Sequence, residues 1–199
     1  MRQVLSAQIL WGILSLDSPE FSCGIPKSGD SGYRFQYTLL TLACTMNITF
    51  RHALADDIDV IVDFNVRLAL ETEDKQLPVD VVRKGVAAAL QLSPEARYFV
   101  AECDGRVIGQ LMITREWSDW RNGWIAWIQS VYVHADFRGC GVFRQLFEHV
   151  KQQLAEAADV VSIRLYVEQD NSTAISTYEK LGFQDPAYRV LEMPLNSGK

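Results

Sequence analysis

The chain has 199 residues, 48% of them hydrophobic, which is enough for one domain with a full core. A formal net charge of -6 and a pI near 5.1 argue against a nucleic-acid binder, which would carry a basic face, and leave room for a cationic partner. Cys23, Cys44, Cys103 and Cys140 form no CxxC pair, and His52, His134 and His149 are scattered, so neither zinc nor a disulfide framework is expected and a reducing cytoplasm fits best.

Residues 1–45 differ from the rest. Leu5 to Leu16 and Tyr37 to Cys44 are apolar, and the stretch between them is rich in Ser, Gly and Pro. Arg2 before an apolar run is compatible with a signal peptide, but no clean small-x-small site follows. Neither run reaches the roughly 18 residues that span a bilayer. The segment reads as a poorly ordered or dispensable extension, with the working domain over 46–199.

From Met46 the pattern predicts a strand over 47–52 and a helix from Asp56 to about Ala69. An acidic connection, Glu71 to Asp74, and a second helix from Pro78 to about Leu90 follow. Arg97 to Cys103 reads as a strand, Asp104-Gly105 as a tight hairpin turn, and Arg106 to Arg115 as the returning strand. A tryptophan-containing loop, Glu116 to Gly123, leads into a strand over Trp124 to Val133. Gly139 and Gly141 mark a short turn. An amphipathic helix to about Ala158 follows, with Val142, Phe143, Leu146, Phe147, Val150 and Leu154 on one face. Val160 to Val167 reads as a strand. A helix capped by Asp170 or Asn171 ends at Gly182, and Phe183 to Met193 is expected as a last strand. The order predicts a single α/β (α+β) domain: a mixed, mostly antiparallel twisted sheet flanked by helices.

The strand–glycine turn–helix unit around Gly139 and Gly141 carries the functional signal. It aims unpaired N–H groups and a positive dipole end at one point, where residues without side chains let an anion approach. The dinucleotide pattern GxGxxG fails, because Arg144 stands at its last glycine, and no GxxxxGK[ST] string exists.

Arg138-Gly139-Cys140-Gly141-Val142-Phe143 after a Val-x-Val strand resembles motif A of the GNAT superfamily of N-acetyltransferases, written [Q/R]xxGx[G/A]. Leu165-Tyr166-Val167-Glu168, then Asn171, Ala174, Tyr178, Gly182 and Phe183, resembles that superfamily's second strand and Asn-capped helix. The resemblance runs from Met46 to Leu195. It departs at Phe143, where a small residue is usual; on a helix that side chain can turn into the sheet.

The resemblance implies acetyl-CoA as donor, no metal, and a primary amine of a small molecule or protein as acceptor, attacked directly in a ternary complex. It places the pyrophosphate on the N–H groups of Gly139, Cys140, Gly141, Val142, Phe143 and Arg144, with positive charge from Arg138 and Arg144. The backbone of Val131, Tyr132 and Val133 would pair with the pantetheine amides, as an added strand does. The Val131 N–H would polarise the thioester carbonyl. Tyr178 is the expected general acid toward the thiolate, although its stripe with Ala174, Ile175 and Leu181 by itself reads as core. Asn171 is expected to hydrogen-bond CoA or to act as an N-cap. Cys140 reads as structural filler.

The base is harder to place. A lysine-like amine costs roughly 4.6 kcal/mol to deprotonate at pH 7. Trp124 to Val133 contains no carboxylate. Glu71, Glu73 and Glu116, or a water chain, remain, and Glu71, Glu73 and Trp127 are candidate acceptor contacts. A monomer or homodimer without nucleic acid or membrane is expected. A CoA-binding regulatory module without turnover is the alternative.

Overall fold

The computed structural model describes residues 47–167, 169 and 171–195. The expectations for residues 1–45, for Cys23 and Cys44, for Glu168 and for the Asp170 cap concern positions outside the described residues.

Five strands form one sheet in sequence order: β1 (Ile48–His52), β2 (Ala96–Cys103), β3 (Arg106–Ser118), β4 (Gly123–Val133) and β5 (Val160–Leu165). β1 to β4 are antiparallel neighbours, and β5 joins β4 in parallel. A parallel partner needs a crossover, and α3 (Val142–Glu156) supplies it. The remaining helices are α1 (Ile58–Glu73), α2 (Val79–Ala89) and α4 (Ser172–Lys180). The mixed α/β sandwich read from the sequence is therefore the observed architecture.

Two layers of helix cover the sheet. The middle of β2, Tyr98 to Ala101, carries no charged residue because both sides of it are covered: Phe99, Ala101 and Cys103 face one core, while Tyr98 and Val100 face the other. Successive strand residues point to opposite faces, so a strand covered on both sides has no polar alternation. On one face α3 lays down Val142, Phe143, Leu146, Phe147, Val150 and Leu154, all buried, with Ala174 and Tyr178 of α4 beside them. On the other face α1 and α2 pack Ile61, Val62, Phe64, Leu68, Val86 and Ala89.

Four expectations are corrected. First, Phe183 to Met193 forms no strand. The Asp185 carboxylate accepts from the Ala187 N–H at 2.7 Å, Ala187 takes a left-handed φ of 61°, and Pro186 lies between them. That turn chemistry breaks an extended segment. Second, Glu71 to Glu73 are the last turn of α1 rather than a connection, and the stop is Asp74 in the left-handed region. Third, β3 continues through Glu116, Trp117 and Ser118, so the tryptophan loop shrinks to a turn over Asp119–Asn122. Fourth, the Asp57 side chain does not cap α1; Oδ2 accepts from the Leu54 N–H at 2.7 Å and from Arg51 Nη1 at 2.7 Å.

Candidate active site

The site lies where β4 and β5 part. Their ladder runs from Trp124↔Val160 to Ile128↔Leu165 and stops there, so along Gln129 to Val133 no strand among the described residues lies on the β5 side of β4. β4 also carries a bulge in this stretch. Gln110 pairs with Tyr132 but Met112 pairs with Gln129, which leaves Ser130 and Val131 opposite Leu111 alone. An extra residue of this kind bends the strand and re-aims its peptide groups. Ser130 takes the strain, with φ at 50°.

Beyond Val133 a short 3-10 turn (Ala135–Phe137) leads to the glycines. Gly139 and Gly141 have φ of 76° and 72°, and Gly141 is the N-cap residue of α3 with no side-chain cap. The first N–H groups of that helix lack intrahelical partners. Arg144 is exposed on the first turn, and Cys140 is half-buried with its thiol 3.7 Å from the Arg138 carbonyl. Phe143 turns inward: it is 4% exposed and stacks on Phe147 at 6.1 Å. Its size therefore sits in the core rather than at the mouth of the turn.

Tyr178 is 3% exposed, between Phe143 and Phe183 at 6.1 and 5.7 Å between ring centroids. Its hydroxyl is buried with no hydrogen-bond partner among the described residues, and burial pushes its pKa well above the ordinary phenol value. Asn171 caps α4 by accepting from the Ala174 N–H at 3.1 Å, while its Nδ2 is likewise buried and unpartnered. Buried polar groups are nearly always satisfied, so two orphans on one helix call for a missing partner.

Arg138 is held inside the protein. Its Nη2 donates to Glu71 Oε2 at 2.6 Å and its Nε to the Val133 carbonyl at 2.9 Å, and its guanidinium lies over the Tyr132 ring. Glu71 Oε1 accepts from the Tyr132 hydroxyl at 2.8 Å. Burial first, and then Glu71, push the Tyr132 phenol up to about 12. Glu71 is thus a clasp from α1 to β4 and the glycine turn, and it is not among the residues lining the pocket described next.

A pocket of about 390 Å³ opens between α1, α2 and the bulge. Leu68, Ala69, Leu77, Val86 and Met112 give it aliphatic walls, and Glu73, Lys75, Tyr98, Gln129 and Ser130 add polar groups. Trp127 lies outside this lining. It stacks on Tyr166 at 4.4 Å and donates to Glu116 Oε2 at 2.6 Å. Trp117 packs edge-on against Trp124, and Trp120 is 91% exposed. Sequence reasoning missed Asn65, Tyr98 and Gln110, a hydrogen-bonded polar group beside the bulge in which Tyr98 and Gln110 are buried and Asn65, half-buried, reaches the pocket lining. Their only signal is polar residues inside apolar runs.

Among the described residues no group of His, Cys, Asp and Glu is arranged to hold a metal, and no helix is long and apolar enough to cross a membrane.

A parted parallel strand pair, a strand bulge and an uncapped Gly-turn helix together leave an open strand edge beside a helix start, an arrangement able to take an extended ligand with an anionic group. The acetyltransferase (GNAT) family profile matches residues 67–183, and the chain belongs to that family. It is 30% identical over 142 residues to an N-alpha-acetyltransferase of Sulfurisphaera tokodaii, covering 68% of this chain and 79% of that one. A possible acetyltransferase from Clostridium difficile 630 is 43% identical with a TM-score of 0.71, over 75% of this chain and 98% of that one. A predicted acetyltransferase from Clostridium acetobutylicum, solved with acetyl-CoA, shares the fold at 20% identity and a TM-score of 0.60, over 74% of this chain and 96% of that one. The protein is an acetyl-CoA-dependent acyltransferase.

Proposed function

We propose that the protein transfers the acetyl group of acetyl-CoA to a primary amine, of a small molecule or a protein chain, by direct attack in a ternary complex. The observation that carries this reading is the pocket beside the bulge: its lining includes Ser130 and Gln129, at the point where β4 leaves β5. The residues also fit the donor. Asn171 Nδ2 and Tyr178 Oη have no hydrogen-bond partner among the described residues, and the glycine turn presents uncapped N–H groups.

Acetyl-CoA, when bound, supplies an activated acyl carbon; the remaining work falls to this chain. The N–H groups of Gly139 to Arg144 hold the pyrophosphate, with Arg144 as the exposed cation of that turn. The backbone of Val131 to Val133 holds the pantetheine arm, and Asn171 adds a side-chain donor. The Val131 N–H stabilises negative charge on the carbonyl oxygen. The amine nitrogen bonds to the acyl carbon and the C–S bond breaks; Tyr178, a weaker acid than a thiol, hydrogen-bonds the departing sulfur and passes it a proton only as the proton lost by the amine replaces it, so the phenol is unchanged at the end of the turnover. Glu73 is the carboxylate among the residues that line the pocket, and we assign the amine's proton to it.

The mainly aliphatic walls suit an acceptor with an apolar body. Residues 46–199 act as one working unit, in the cytoplasm, as monomer or homodimer. The comparisons lend no support to a CoA-binding module without turnover.

Free-thiol release from acetyl-CoA, measured across a panel of aliphatic amines, polyamines and peptides with free N-termini, tests the reading. Acceptor-dependent release is expected. Tight acetyl-CoA binding with no acceptor-dependent release across the panel would sink it.

A further inference from the structure

We infer that Gln110 is a positioning residue for acetyl transfer: it fixes the bulge peptide between Ser130 and Val131 so that the Val131 N–H faces the gap between β4 and β5. The inference rests on the functional reading above and adds to it a residue two layers from the reacting atoms.

Gln110 is fully buried on β3, and its Nε2 donates both to the Ser130 carbonyl at 3.2 Å and to Asn65 Oδ1 at 2.9 Å. Asn65 lies on α1, and its Nδ2 donates to the Tyr98 hydroxyl at 3.2 Å. Ser130 is therefore gripped at its carbonyl by Gln110, which Asn65 of α1 and, through it, Tyr98 hold in place.

The consequence follows from peptide geometry. A trans peptide is planar, so its C=O and N–H point in opposite directions. The Ser130 carbonyl and the Val131 N–H belong to one such plane. Pulling the carbonyl toward β3 and α1 turns the N–H away from both, toward the side of β4 that β5 has left. Without the grip this orientation would be hard to keep. A non-glycine residue with φ near 50° costs about 1–2 kcal/mol, and a single strand bulge can flip its peptide to relieve it. Aliphatic neighbours could fill the space of Gln110 but could not hold a carbonyl.

Gln110→Met keeps the volume and removes the donors; Asn65→Leu removes the acceptor that orients them. The wild type binding acetyl-CoA labelled with ¹³C at the carbonyl is expected to lower its C=O stretching frequency. Gln110→Met should lose most of that shift, with acetyl-CoA affinity held within roughly twofold. With a peptide amine as acceptor, kcat should fall roughly 10- to 100-fold, less than the ~10²–10³ of deleting an oxyanion donor outright, while KM for acetyl-CoA stays put. Asn65→Leu should follow in the same direction, more weakly, and stands in if Gln110→Met does not fold. A full carbonyl shift in the folded variants, or KM rising in step with the loss of kcat, overturns the inference. A wild type that binds acetyl-CoA without any carbonyl shift overturns the functional reading of the bulge instead.

Discussion

Tyr178→Phe should make the unliganded protein more stable and the enzyme worse. The phenol ring packs between Phe143 and Phe183 with 3% exposure, and phenylalanine keeps all of that packing. What it removes is one buried hydroxyl with no partner among the described residues. An unsatisfied buried polar group costs about 1–3 kcal/mol. At roughly 2–4 °C per kcal/mol for a domain of this size, the melting temperature should rise by several degrees. Turnover should fall by about 10²-fold, the lower end for loss of a general acid. Acetyl-CoA should then stabilise the wild type more than the variant, because only the wild type gains a hydrogen bond at Oη. Thermal scans with and without acetyl-CoA, beside steady-state rates, read all three quantities. Burial raises the Tyr178 pKa above 10, so the phenol stays protonated and no alkaline loss of activity below pH 10 belongs to it. A lower melting temperature in the unliganded variant would show that the hydroxyl is already satisfied. Unchanged kcat would remove the acid role.

At Gly141 a valine Cβ would meet only Gln145 Nε2, at 3.8 Å, so Gly141→Val should fold with a backbone cost of about 1–2 kcal/mol from its φ of 72°. It should nonetheless weaken CoA binding by titration calorimetry, and unaltered affinity would disprove the placement of the pyrophosphate. Gly123→Ala is the opposite case. Its Cβ would collide with Val161 Cγ1 and lie 3.0 Å from the Asp159 carbonyl, so overpacking should cost about 1–3 kcal/mol in chemical denaturation; a neutral result would show that β5 yields. Asp57 accepts two hydrogen bonds from Arg51 and one from Leu54, and although burial alone would raise its pKa, these bonds hold it below 3.8. A depressed folded pKa contributes stability that is complete above the unfolded value and lost as pH falls through the folded one. Asp57→Asn should therefore destabilise by about 1.5–3 kcal/mol at pH 7, less than a fully buried pair because Arg51 is one-third exposed. The gap from wild type should close below pH 3.8, and a gap independent of pH would refute the charge account.

The parts legible in the sequence are those with a strict period or an obligatory glycine. α3 is the clearest: each residue of its stripe from Val142 to Leu154 is buried, and Phe143 follows the stripe rather than the family's small-residue habit. The bulge was not legible. Ile128 to Val133 alternates convincingly, and the extra residue is a serine, which gives no φ signal of its own. The polar group behind it hides in the same way, since Gln110 sits in the apolar run Ile108 to Ile113 and reads as an interruption. Its partner Asn65 comes from α1, 45 positions away. The expected last strand is absent because the turn that Asp185, Pro186 and Ala187 impose interrupts the segment before Tyr188.

The acidic string Glu71 to Asp74 shows how helix geometry divides one charge run into separate tasks. Read as a loop, its carboxylates are interchangeable. On a helix, residues two apart differ by about 200° in direction, so Glu71 and Glu73 cannot face the same target. Glu71 faces β4 and spends both oxygens on Tyr132 and Arg138. Glu73 lines the pocket. Asp74, in the left-handed region, ends the helix. The clasp also has a cost and a purpose. It offsets the Arg138 charge that motif resemblance assigns to phosphate, so in the proposed donor site the N–H groups of the glycine turn and Arg144 would be the main contacts of an anion. In exchange it ties α1, which walls the pocket, to the residue that begins the glycine turn, so that in the proposed mechanism a single carboxylate would hold the acceptor and donor halves of the site in one register.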